Sequence, residues 1–561
     1  MFRPRVSAAL GVALLSVLSA CDGGGSTGGS ASGGGLVSVT PAPTPTPSFT
    51  EADAVRLAKQ ASFGPTPALV AKIKDLGVNG WLDEQFAATG STYADLTTAV
   101  RRDFCASGDT VCSRQHWSRT PVAMRFYADA VMAPDQLRQR TAFALGQMIV
   151  ASETEVNSAA GIAAFNQIFL DNAFGNFRDI LAKVTMLGYM GDYLDMADSN
   201  KSAPSENYAR ELLQLFSMGP DQLNMDGTPK LDATGARQPN YTPDDIKGVA
   251  KALTGWTYAR VGGAAITEGN ARDYSVPMIA VPTRYDATAK SFLGTSVSAG
   301  AAQDASVAAV VDAAFNNAST APFVSKFLII HLVTPNPTPA YVERVSAVFA
   351  NNGSGVRGDL KAVVRAILTD SEARTAPSAA SGKVKEPVLL MAGLARVIGF
   401  TTDGYVFVNR DTSMGQPVMR APSVFNFYPQ DYPLPGSTTL KSPASKLLNT
   451  SNVLRWHNFV YEWTVGGDAT RSEFALASGL PNSSLTQPVW SEWETIATDL
   501  DATVNRINLL MFANTLSQPQ KDALKAAGAA VTHADPIVQA RKRAQMMLYV
   551  AASSPLFLVD R

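Results

Sequence analysis

From Thr50 to the end of the chain, apolar residues return at spacings of three and four, while the strict alternation of a half-buried strand is scarce. Each segment of that kind carries one apolar stripe that neighbouring helices can cover. The expected fold class is therefore mainly α, one large multi-helix globular domain over residues 50–561 with long irregular loops. Thr50 is a candidate cap for a first helix reading EADAVRLAKQASFG. Further helices are predicted over 66–77, 136–152, 177–196, 241–256, 319–333, 339–353, 357–370, 383–399 and 535–553. With 561 residues, 46% of them hydrophobic, the chain has ample material for a large core. Two irregular stretches, 220–240 and 400–440, interrupt the pattern, and loops that long are functional or held by packing. The aromatics of the second, Phe425, Phe427, Tyr428 and Tyr432, either pin it to the helices beneath or line a groove.

The N-terminus is organised differently. Arg3 and Arg5 precede an apolar run from Val6 to Leu18 that is too short to span a membrane as a helix, the pattern of a secretory signal over residues 1–20. Leu18, Ser19 and Ala20 before Cys21 resemble a bacterial lipobox, which makes Cys21 the expected lipidated N-terminus of a membrane-anchored lipoprotein. Asp22 resembles the inner-membrane retention signal of enteric bacteria. Residues 21–49, rich in Gly and Ser and then in Pro and Thr, read as a tether that holds a folded body off the membrane. The expected location is the bacterial cell envelope, facing the periplasm or the exterior.

Charge and cysteine usage narrow the classes further. Forty-seven basic against 48 acidic residues leave no electrostatic footprint for nucleic acid. Cys105 and Cys112 flank ASGDTV, whose Gly108 and Asp109 favour a turn, and an exported chain meets an oxidising compartment, so a local disulfide is expected. Their spacing is too long for a zinc knuckle, and His116 has no second histidine near it.

The stretch SENYARELLQLFSMG, residues 205–219, is strongly amphipathic. Glu206, Asn207, Arg210, Glu211 and Gln214 fall in one arc of a helical wheel, and Tyr208, Leu212, Leu215 and Phe216 in the other, with Gly219 as a stop. Followed by YTPDDIKGVAKALTGW, it resembles the signature of the bacterial family DUF1800, domain of unknown function 1800. Glu206, Asn207, Ala209, Arg210, Glu211, Gly219, Tyr241, Thr242, Asp245, Leu253, Thr254, Gly255 and Trp256 match it, and Ser205 stands where Asn is usual. The resemblance continues through ASFGPTP, the segment TAPFVSKFLIIHLV, RGDLKAVVRAILTD, KEPV, APSVFNFYPQDYP and SSPLFLV, from about residue 51 to 561. It implies a helical, exported protein without an assigned reaction. Such genes often neighbour those of DUF1501, an exported family that resembles metallohydrolases, so a shared task is implied. Two family features are replaced: a Trp-His-x-His segment by LRQRTAFALGQMIVAS, and a His-Asp pair by Tyr285 and Asp286.

Among catalytic patterns, the four histidines, His116, His331, His457 and His533, form no HExxH or HxxxH pair, and no phosphate loop or GxSxG elbow occurs in the folded region. No nucleotide or haem cofactor is expected. Carboxylate chemistry remains: Glu206, Glu211, Asp244 and Asp245 come from neighbouring segments that could converge, to hold a hard cation or to work as acid and base. The candidate catalytic residues are thus Glu206, Asn207, Arg210, Glu211 and Asp245, with Tyr241, Thr242, Thr254, Gly255 and Trp256 as companions in the motif. The alternative is a buried network in which Arg210 bridges carboxylates and organises the loop 220–240. DQLNMDGTPKLD fits a calcium loop poorly, since Gln222 and Ala233 fall at ligand positions, which leaves calcium or another hard cation a minor alternative. Two functions follow: a tethered assembly or binding partner of a DUF1501-type protein, or an envelope hydrolase acting on a glycan or other polymer.

Overall fold

The computed structural model describes residues 49–561 apart from 379, 380, 469 and 482; the signal segment, Cys21, Asp22 and most of the tether lie outside the described residues. Residues Phe49–Arg561 form one compact unit. Its described residues contain 22 α-helices around a continuous apolar core, and the only strands among them make five short antiparallel pairs. No helix among them is long and apolar enough to cross a membrane.

The helical period translates directly into packing. In Leu360–Thr369, Leu360, Val363, Val364, Ile367 and Leu368 are all buried, each contributing roughly 1.5–3 kcal/mol. That helix lies against Pro339–Ala350, which packs on Thr320–Leu332. Starts are set by side-chain caps: Thr50 forms a capping box with Asp53, and Thr242 forms one with Asp245.

Two predicted helices are altered by pairing between distant segments, and a third is longer than predicted. The stretch 177–196 splits into Phe177–Met186 and Gly188–Tyr193, because Leu187 is extended and the amides of Gly188 and Tyr189 donate to the carbonyls of Val276 and Tyr274. The stretch 383–399 is helical only over Pro387–Ile398; Lys383–Val384 pairs instead with Val559–Asp560. Helix 66–77 runs on to Ala87 beyond a break at Gly77.

The two irregular stretches are held by packing. In 220–240, isolated bridges join Asp221 to Pro239, Leu223 to Pro229 and Leu231 to Arg237, and the Asn240 amide donates to the carbonyls of Met218, Gly219 and Asp221. Asp226 and Asp232 accept from Thr228 and Thr234 within their own turns. Region 400–440 contains the helix Tyr405–Ser413, and its loop is pinned by buried Phe427 and Tyr428 while Phe425 stays exposed. Cys105 and Cys112 are joined by a disulfide.

Candidate functional site

The helix Asn207–Gln214 presents its stripe inward, with Tyr208, Leu212 and Leu213 buried and Phe216 following just beyond its end. Tyr208 shares a hydrogen bond with Thr185 at 2.7 Å. On the opposite arc, Arg210 pairs with Glu206 at 3.1 Å, yet both side chains are more than a third exposed. Exposed Asn207 donates to Asp195 at 3.0 Å. Arg210 therefore does not bridge buried carboxylates, a correction to the network expected from the sequence: it projects from the surface, and its pair is of the weak i,i+4 kind.

Glu211 differs from its neighbours. It is buried, its Oε2 has no hydrogen-bond partner among the described residues, and burial raises its carboxyl above the usual range while Arg210 partly offsets this. Tyr193 and Tyr241 sense it electrostatically; burial pushes Tyr193 up to about 12, with Glu155 and Glu211 adding to the shift.

The other carboxylates do not join it. Asp245 Oδ2 accepts from the amide and hydroxyl of Thr242, and Oδ1 accepts from the amide of Leu293 at 2.7 Å. Burial pushes that carboxyl up, but these bonds hold it below its ordinary value. Asp244 pairs with Lys247 at the surface. The convergence expected of Glu206, Glu211, Asp244 and Asp245 is thus corrected: Asp245 fits the third position of a capping box, and its lone pairs are engaged there. No group of three or more His, Cys, Asp or Glu side chains placed to hold a metal occurs among the described residues.

The rest of the motif closes the helix onto a neighbouring hairpin. The Tyr241 hydroxyl donates to Gln214 at 3.2 Å. Thr254 Oγ1 donates to the Lys251 carbonyl and accepts from the amide of Asp286. Gly255 has φ +85°, its amide donates to the Ser199 carbonyl, and a Cβ there would lie 2.8 Å from the Tyr285 backbone. Buried Trp256 pairs with Ala280.

A second cluster gathers charged side chains from remote segments. Arg140 and Lys383 both donate to the carbonyl of His331 at 2.7 Å. Glu386 accepts from the Tyr428 hydroxyl at 2.7 Å and from the amide of Gln416. The His331 ring stacks on Phe327 at 4.4 Å, its Nε2 has no partner, and burial drives it well below its ordinary pKa. Lys385 and Lys59 share Asp560 at 3.6 and 3.8 Å. Despite that carboxylate, burial takes Lys385 down to about 7. The ion pair and the shift pull in opposite directions, and the long separation from a single shared carboxylate explains why burial prevails. His331, Lys383, Glu386 and Tyr428 line a cavity of about 20 Å³, the size of one water.

The segments that meet in these two clusters fall within one family match: the family model described as "Protein of unknown function" (DUF1800) matches residues 56–559. The chain belongs to the DUF1800 family. No curated protein and no solved structure matches it.

In this DUF1800 protein the second cluster joins residues too far apart in the chain for a short-spacing motif to mark it. A signal was present in the sequence nonetheless: His331 interrupts the apolar run FLIIHLV, and Lys385 and Glu386 stand directly before the fully buried helix Pro387–Ile398. A charged group in such a place is buried with a partner or works as a functional group.

The first cluster yields a direct test. Arg210→Ala should change the unfolding free energy by no more than about 0.5 kcal/mol in urea denaturation. Glu211→Gln should leave stability unchanged or raise it, since the amide removes an uncompensated buried carboxylate. A loss of about 3 kcal/mol in Arg210→Ala would show the pair to be buried in solution.

Proposed function

We propose that this DUF1800 protein is a lipid-anchored protein of the bacterial cell envelope that works by binding, holding an exported DUF1501-type partner at the membrane. The observation that carries this reading is the division of labour around Asn207–Gln214. Asp245 and Thr242 are committed to a helix start, whereas Glu206, Asn207 and Arg210 stand on the surface, above buried Tyr208, Leu212 and Leu213. Charged groups fixed on a rigid helix select a partner and its orientation more than they add affinity. The anchor is supported by the signal pattern before Cys21 and the tether that follows it.

A second reading rests on Glu211. A buried carboxyl with a raised pKa and an unpartnered oxygen beside Tyr193 and Tyr241 has the character of a general acid, which would suit an envelope hydrolase acting on a glycan or other polymer.

Fractionation and capture from native-host membranes separate these possibilities. Cys21→Ala is expected to release the protein into the soluble fraction after a carbonate wash; retention of the variant on membranes would overturn the anchor. Glu206→Lys combined with Arg210→Glu should weaken co-purification of the DUF1501-type protein at least about tenfold, because two rim charges are reversed. Undiminished capture by that variant, with turnover of an envelope polymer lost in Glu211→Gln, would favour the hydrolase.

A further inference from the structure

A cleft of about 500 Å³ is lined by residues of the helix Glu51–Ala61, the turn before Pro339–Ala350, the short helix Ser371–Arg374 and the strand pair Lys383–Val384 with Val559–Asp560. Its volume falls in the range of small-ligand sites. What distinguishes it is the charge on its walls. Arg56, Lys59, Arg344, Lys383 and Arg561 line it, against the carboxylates Glu372 and Asp560.

Of the two carboxylates, only Asp560 lies at ion-pair distance of one of these cations, Lys59, and it is shared with Lys385. Glu372 accepts from the amide and hydroxyl of Thr338 at 3.0 and 2.6 Å. Asp560 stands between Lys59 and Lys385, and its Oδ1 accepts no hydrogen bond among the described residues. Arg344 is matched by Asp370 in a two-pronged pair at 2.7 and 2.8 Å, and Arg56 by Asp53 at 2.8 Å. That leaves Lys383, whose side chain is buried and whose ammonium donates to the His331 carbonyl, without a carboxylate at ion-pair distance among the described residues. Behind the wall, Arg374 donates to Gln60, and its Nε and Nη1 have no partner among the described residues. Burial lowers Lys383 to about 8 and Arg374 to about 10, with neighbouring cations deepening both shifts. Cations held out of water without a carboxylate at ion-pair distance cost free energy that a bound anion would return.

We propose that this cleft is a binding site for a phosphoryl-bearing ligand, with Lys383, Lys59 and Arg56 meeting its oxygens in the depth and Arg344 at the mouth. A multiply charged group with several oxygens suits a cleft that gathers lysine and arginine charges on several walls better than a single carboxylate does. The inference stands apart from the partner-binding reading, which concerns the face of Asn207–Gln214.

The test uses full-length Cys21→Ala protein, freed of its lipid, and pyrophosphate as the probe, titrated by calorimetry at constant ionic strength. Pyrophosphate should bind, acetate at equal ionic strength should not, and Lys383→Met should weaken binding about tenfold or more, the loss of one charged hydrogen bond. Lys383→Arg should retain most of the affinity. Should Lys383→Met fail to fold, Arg344→Gln at the exposed mouth carries the test, with a severalfold loss expected. Vesicles of phosphatidylglycerol and of phosphatidylcholine distinguish the source of the group. Binding to the former that Lys383→Met abolishes assigns a lipid headgroup; binding of pyrophosphate alone assigns a soluble ligand. No heat with pyrophosphate, or equal affinity in wild type, Lys383→Met and Arg344→Gln, would overturn the proposal.

Discussion

Asp411→Ala should lower the unfolding free energy by about 3–5 kcal/mol, because it leaves a buried guanidinium without its counter-charge. The carboxylate of Asp411 has no exposed surface and takes Arg119 Nη1 and Nη2 at 2.7 and 2.8 Å, one on each oxygen. It also accepts the amide of Val418 at 3.1 Å and the hydroxyl of Tyr127 at 3.3 Å. Arg119 in turn donates to the Val418 carbonyl at 3.2 Å, and its amide donates to Glu153 at 2.8 Å. The pair therefore holds the helices Thr120–Met132 and Tyr405–Ser413 to the loop after the latter. Asp411→Asn keeps the shape but loses the charge and should cost less than Ala. Urea denaturation measures both, and an Ala variant within about 1 kcal/mol of wild type would mean that water reaches the pair.

That network joins residues 292 apart in the chain, which explains why nothing in the sequence announced it. Local periodicity and caps were readable: the stripe of Leu360–Thr369, the Thr242–Asp245 capping box and the Glu206–Arg210 pair all depend on residues within a few turns of one another. Family membership and the mainly helical class were legible for the same reason, since the motifs are contiguous. Pairing that crosses the chain was not. A helical pattern at 383–399 gave no hint that Lys383 and Val384 would pair with the last strand, which sets Lys385 beside Asp560. Glu211 was misplaced by the wheel, because polarity assigns it to the solvent arc while the tertiary fold buries it. The carboxylates of Asp244 and Asp245, adjacent in sequence, parted because one faces solvent and the other closes a helix end.

Glu386→Ala should be comparably damaging, again by about 3–5 kcal/mol, and for a related electrostatic reason. Glu386 is buried at the start of Pro387–Ile398, and its negative charge favours the charged forms of both Arg140 and Lys383. Neither cation has a carboxylate at ion-pair distance among the described residues, so this longer-range attraction is a main compensation for their burial. Two of the Arg140 guanidinium nitrogens already lack partners. Truncation would also strand the Tyr428 hydroxyl and the Gln416 amide, each at about 1–3 kcal/mol if water does not reach them. Glu386→Gln separates the two contributions: its amide oxygen can still accept from Tyr428, so most of its loss reports the charge alone. If Arg140 and Lys383 depend on that charge, Glu386→Gln is destabilised and adding Lys383→Met to it restores part of the stability, since one stranded cation is removed. Equal stability of wild type and Glu386→Gln, with no gain from Lys383→Met, would show that these cations are compensated by something other than Glu386.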